Sequence, residues 1–205
     1  MDITGTLVAA VVTAYWFGVG AMIVRVRRQS RKHAAHAATV LPRQPLERLM
    51  GAAWVPLVAA WVALPWLALA RTGAPFGLPP FALLPEYASV RYAAAIVAAV
   101  CLALTIKSWA RMGRHWRMAV TDEEQALITD GMFARIRHPI YSLSILLMLC
   151  TMLVVPTGLM VAVGIVHIAM MVLKAHNEER HLLAKHGAAY AGYLARTGRF
   201  LPRLR

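Results

Sequence analysis

The chain has little charge, little acid and almost no cysteine. Of its 205 residues only 15% are charged, and its 9 Asp and Glu face 22 Lys and Arg. A soluble domain carries about 25% charged residues. A composition that is 60% hydrophobic, with a mean hydropathy of +0.57, therefore excludes an ordinary cytosolic enzyme, a disordered tail and a collagen-like fibre. Cys101 and Cys150 both lie in apolar runs with no Cys-x-x-Cys or Cys/His neighbour, which argues against a disulfide framework and a structural zinc site. No metal is expected at the His-rich end of the chain either. His176, His181 and His186 are spaced by 5 residues, which misses the i, i+3 or i+4 spacing that places two ligands on one helix face.

What the chain has instead is apolar runs, at 3–24, 49–70, 90–106, 140–155 and 159–173. A bilayer helix needs about 20 residues, which the first two runs supply. The third starts at Arg91, a side chain free to snorkel, and is followed by Lys107 and Trp109, suited to the interface. The last two are short, and Pro156-Thr157-Gly158 between them joins a helix breaker to a residue free to take positive φ. The expected fold is an all-α integral membrane protein with about five transmembrane helices. The last two form a tight helical hairpin, followed by a cytoplasmic tail helix.

Charge placement supports this map. Of the 22 basic residues, 7 lie from Arg25 to Arg48, 2 at Arg71 and Arg91, 6 from Lys107 to Arg137, none at 156–158 and 7 from Lys174 onward. Basic residues accumulate in cytoplasmic loops, so the alternation predicts an outside N-terminus, a cytoplasmic C-terminus and both hairpin ends on one face. The net charge of +13 is then largely topology. With no basic patch interleaved with aromatics, a nucleic-acid partner is not expected, whereas membrane lipids are. The start Met1-Asp2, with its first Arg at position 25, predicts an anchor rather than a cleaved signal peptide. The Ala- and Arg-rich composition suggests a bacterial inner membrane. Residues 30–45 read as a basic cytoplasmic loop. Residues 72–85, with Pro75, Pro79, Pro80, Pro85, Gly73 and Gly77, read as a short ordered external cap. Two regions follow: 1–110, holding the N-terminal helices with both loops, and 111–205, the candidate site region containing the 140–173 hairpin.

Outside the first loop, ionisable residues concentrate on either side of that hairpin. Upstream lie Thr121-Asp122-Glu123-Glu124 and then Asp130 to Tyr141; downstream lie Lys174 to His181, then Gly187, Tyr190, Tyr193, Arg196 and Phe200-Leu201-Pro202. A hairpin brings these stretches together. Pro139 suits a helix's first turn and keeps His138 out of it, leaving amide donors free for an anion and letting Arg137 clamp a carboxylate; Arg137 and His138 could equally mark the interface. Glu178 and Glu179 are adjacent carboxylates on a helix leaving a membrane, costly unless solvated, paired or bound to a cation. Helical spacing puts Lys174, Glu178, His181 and Lys185 on one face and His176 with Glu179 on another. A solvated, salt-bridged face is the plain alternative.

Gly131-Met132-Phe133, Arg137-His138-Pro139-Ile140-Tyr141, an apolar hairpin, Glu178-Glu179 with Leu182, then Gly187-x-x-Tyr190-x-x-Tyr193 and Arg196 together resemble the isoprenylcysteine carboxyl methyltransferase family and its phospholipid methyltransferase relatives. The resemblance covers about residues 120–202. One departure is Leu143, where many members carry Gly, with Ser142 and Ser144 beside it.

The resemblance implies an integral membrane methyltransferase that moves a methyl group from S-adenosylmethionine to a lipophilic acceptor (a carboxylate, thiol or amine, small or lipid-modified) at the cytoplasmic face. It implies a donor site of Arg137, His138, Pro139, Tyr141, Glu178, Glu179 and His181. The carboxylates would meet cationic or ribose groups, Arg137 and His138 the donor's carboxylate, and Tyr141 would form an aromatic wall. Glu179 and Arg196 are the residues closest to the reaction, Arg196 on the acceptor side. His181 could also be an ordinary interfacial histidine, and Arg196 an arginine flanking the tail helix. Tyr190 and Tyr193 are expected to pack that helix on the membrane surface.

Two other functions compete. A sterol-reductase-type enzyme would bind NADPH in a similar hairpin, but the phosphates call for several Arg or Lys and few carboxylates. A non-catalytic protein could bind anionic lipid through its basic loops. The charge alternation makes a direct prediction: cysteines placed in 72–85 are labelled by an impermeant thiol reagent from outside intact cells, and those in 30–45 are not. Labelling of only the second set would invert the map.

Overall fold

The computed structural model of the chain describes residues 2–32, 45–112, 127 and 129–203. Most of the expected basic loop and the acidic run at 121–124 lie outside these. Five α-helices account for most of the described residues: α1 (Ile3–Lys32), α2 (Pro45–Ala70), α3 (Pro85–Met112), α4 (Pro139–Val154) and α5 (Gly158–Arg196), with single 3-10 turns at Pro80–Leu83 and Gly131–Ala134. The fold among the described residues is all-helical, with no strands. α1, α2, α3 and α5 are long and apolar enough to cross a membrane, and α4 is a shorter apolar helix.

The helix starts follow from local chemistry. Asp2 caps α1, its Oδ1 accepting from the Gly5 amide and the Thr4 hydroxyl, each at 2.9 Å. α3 and α4 open on Pro85 and Pro139, where a missing N–H costs nothing. Thr157 caps α5 by accepting from the Met160 amide at 3.2 Å. α2 continues through Pro56 and Pro65, as membrane helices can where neighbours re-satisfy the freed carbonyls.

The helices pack as a ring in which α3 meets α4, α4 meets α5, α5 meets α2, α2 meets α1 and α1 meets α3, while α1 also touches α4 across the middle. Val8, Val12, Trp61, Ala98, Leu147, Met148 and Val154 lie in the shared core. At one end of the bundle Arg91 departs from expectation. It does not snorkel outward; it is buried, donates to the Val154 carbonyl at 3.1 Å and pairs with Asp2. The cause is the last turn of α4, whose orphaned carbonyls need donors. One guanidinium thus ties together the start of α1, the flank of α3 and the end of α4.

Helix lengths set the position of the other end. α4 has 16 residues and spans about 24 Å at 1.5 Å per residue, less than the roughly 30 Å of a hydrocarbon core. Its Pro139 end therefore lies at or inside the edge of the apolar layer. α5 has 39 residues and is apolar only to Leu173, so its second half runs out past that layer. The tail helix expected from the sequence is the continuation of this rod, set off only by Gly187, whose φ of 51° breaks the helical geometry.

Arg91→Met removes one partner of a largely buried pair. The variant should lose roughly 2–4 kcal/mol of stability, read as a lower midpoint in a detergent thermal melt.

Candidate active site

The end of α5 folds back onto the start of α4. After Arg196 the chain turns extended at Thr197, and Gly198 forms a parallel bridge with Ile136. The Gly198 amide donates to the Arg135 carbonyl at 3.1 Å, the Arg137 amide to the Gly198 carbonyl at 2.9 Å and the His138 amide to the Arg199 carbonyl at 3.1 Å. The Arg137 and His138 amides, just before the helix, are thus taken by the chain itself. Gly198 fits because a Cβ there would overlap the Leu201 carbonyl. Tyr193 donates to the Phe133 carbonyl at 2.6 Å, and Tyr190 and Tyr193 are buried. These tyrosines pack the tail on the segment before α4 rather than on a membrane surface.

Glu179 is the hub of this fold-back. Its Oε1 accepts from Arg137 Nε at 2.8 Å, and its Oε2 from Arg199 at 3.0 and 2.6 Å. His138 Nε2 lies 3.3 Å from Oε1 but out of line for a hydrogen bond. Arg137 reaches further, donating to the carbonyls of Thr197 and, at 3.3 Å, of Leu194. Burial pushes the Glu179 carboxyl up, but His138, Arg199 and Arg137 around it outweigh burial and hold it well below the usual carboxylate range.

Glu178 faces elsewhere. Its side chain is 36% exposed against 8% for Glu179, and it accepts from the Tyr141 hydroxyl at 2.9 Å. The Tyr141 ring stacks on His138, 5.2 Å away and 4° from parallel. These three residues, with Arg137, Pro139 and Lys174, line one side of a cavity. The opposite wall is aromatic and comes from the N-terminal helices: Tyr15 and Trp16 of α1, Trp54 of α2 and Trp109 of α3.

Of the residues expected to hold a donor, Arg137, His138, Pro139, Tyr141 and Glu178 line this cavity together. Glu179 lies behind them, not on the wall, and His181 is half-buried and also off the wall. Arg196 is exposed in the last turn of α5 and does not border the cavity. Arg199, Trp16 and Trp54 carried no signal in the sequence, and Trp109, expected beside Lys107 at the interface, is instead buried on the cavity wall. Arg199 stands in a run of arginines of similar context, and a tryptophan in an apolar helix looks like core whatever it faces.

Residues 90–189 match the family model for phospholipid methyltransferase. This segment belongs to that family. It is the family of the integral membrane methyltransferases acting on isoprenylcysteine and phospholipid acceptors, as the motif order suggested. The phospholipid methyltransferase segment begins earlier than that resemblance, inside α3, so it includes Trp109, and it ends before Tyr190, Arg196 and Arg199. No curated protein matches the chain.

The clamp has a pH signature. Because the Glu179 carboxyl is depressed in the fold, its stabilisation is complete above its unfolded value near 4.5 and fades only as pH falls below that. Glu179→Gln should cost about 3 kcal/mol at pH 7. Detergent melts should show this gap constant from pH 8 to 5 and narrowing at lower pH.

Proposed function

We propose that this chain transfers a methyl group from S-adenosylmethionine to a lipophilic acceptor at the cytoplasmic face of a bacterial inner membrane. The observation that carries the reading is the pairing, in one cavity, of a half-exposed carboxylate, Glu178, fixed by Tyr141, with an aromatic wall recessed into the bundle. Cytoplasmic placement rests on the alternation of basic residues.

The donor set fits the donor's chemistry. S-adenosylmethionine, when bound, supplies an activated methyl group on a cationic sulfonium. Glu178 would neutralise its cationic amino group. His138 and Lys174, on the same wall, would meet its carboxylate, a task for which Arg137 is less suited because its guanidinium already serves Glu179 and Thr197. The indoles of Trp16, Trp54 and Trp109 favour a cation and exclude water. Glu179, with both oxygens engaged by arginines, would hold the cavity's shape rather than touch the donor. Arg196, outside the cavity, would meet the acceptor's headgroup at the rim. Methyl transfer needs alignment above all, and alignment is what such a pre-formed site supplies.

Glu178→Gln keeps shape and hydrogen bonding but removes the charge, so donor affinity measured by calorimetry should fall by about 1.5–3 kcal/mol. Arg196→Ala should leave that affinity unchanged and lower methyl transfer. Donor binding of wild-type strength in Glu178→Gln would sink the assignment.

A further inference from the structure

At the inner end of the same cavity lies a polar pair that the donor site does not use. Ser144 of α4 borders the cavity, and its hydroxyl lies 3.1 Å from Nε2 of His167 on α5. His167 is wholly buried, and its Nδ1 has no hydrogen-bond partner among the described residues. A histidine deep in an apolar bundle is costly, and one left half-satisfied more so. Any apolar side chain of similar size would fill the space without that cost.

Position separates the pair from a mere core residue. On α5, Met171, Lys174 and Glu178 line the cavity, and His167 is the next inward position of that stripe by helical spacing. On α4, Tyr141 lines the mouth and Ser144, one turn further in, lines the floor. Tyr15 of α1 lines the cavity beside Ser144, and on α2 the ring of Trp54, which lines the cavity, and that of Trp61, buried behind it, lie 6.0 and 4.6 Å from the imidazole.

We propose that Ser144 and His167 form a proton-accepting couple, and that the acceptor is accordingly a nucleophile that sheds a proton on methylation, a neutral amine or thiol rather than a carboxylate. The inference rests on the methyltransferase reading above. As the acceptor's lone pair bonds to the methyl carbon, the carbon–sulfur bond breaks and the sulfonium becomes a neutral thioether. The proton on the attacking atom passes to Ser144 Oγ, whose own proton passes to His167 Nε2. One positive charge leaves sulfur and one arrives on the imidazole. Ser144 touches the acceptor; His167 acts through it as a positioning residue.

The test uses the full chain in detergent, with radiolabelled S-adenosylmethionine and four probes: dodecylamine, dodecanethiol, phosphatidylethanolamine in mixed micelles, and laurate. Wild type should methylate at least one proton-bearing probe and leave laurate untouched, the phospholipid arm telling a lipid amine from a free one. Ser144→Ala and His167→Gln should lower single-turnover transfer by about 100-fold. Donor binding by calorimetry and dodecylamine binding by indole fluorescence should stay within about twofold. A solvent deuterium effect on the wild-type rate should be absent from the residual transfer of Ser144→Ala, a change that a purely structural role would not produce. If His167→Gln fails to fold, Ser144→Ala alone decides. Transfer to laurate at the amine's rate, unchanged turnover in the variants, loss of binding in step with transfer, or bound donor with no proton-bearing probe methylated would each overturn the couple. Absence of donor binding in wild type would overturn the methyltransferase reading, and the couple with it.

Discussion

The Glu179 carboxylate between Arg137 and Arg199 is the contact on which the candidate site depends. It joins three parts of the chain that are far apart in sequence: the turn before α4, the polar half of α5 and the segment after it. Two guanidinium groups supply hydrogen bonds to both oxygens, which compensates for removing the acid from water. With that clamp in place, Arg137 can also reach the Thr197 and Leu194 carbonyls, and residues 197–200 can lie along 135–138. The wall formed by His138, Pro139 and Tyr141 is thereby fixed from behind.

The adjacent glutamates divide the work because successive residues on a helix point about 100° apart. Glu179 turns toward α4 and the tail, while Glu178 turns toward the cavity, and Tyr141 fixes its direction. One residue secures the architecture while its neighbour stays half-exposed on the cavity wall. His138 stands between them, its ring stacked on Tyr141 and its edge facing the buried acid.

The cavity itself is a product of the whole bundle. Its polar side comes from α4 and α5 and its aromatic side from α1, α2 and α3, so the N-terminal helices are part of the site and not only an anchor. The shortness of α4 recesses this cavity toward the apolar layer, and at the far end Arg91 satisfies a carbonyl where α4 stops. The candidate site thus has a polar side and an apolar, aromatic side.

The sequence by itself determined the helical membrane architecture, since apolar runs of bilayer length and a Pro-Thr-Gly break leave few alternatives, and the helices begin within a few residues of where those runs do. It also marked Arg137, His138, Tyr141 and Glu178 as neighbours, because a hairpin must return the chain to the face it left. Three matters were not legible. Arg91 looked like an interfacial arginine because its partners, Asp2 and the Val154 carbonyl, are distant in sequence. Arg199 looked like one more basic tail residue. Trp109 looked like an interfacial residue beside Lys107, and nothing in the pattern set Trp16 and Trp54 apart. Only the tertiary structure decided which carboxylate is spent on the fold and which faces the cavity, because that depends on how helices are rotated about their axes, and rotation is set by packing between segments rather than by the pattern within any one of them.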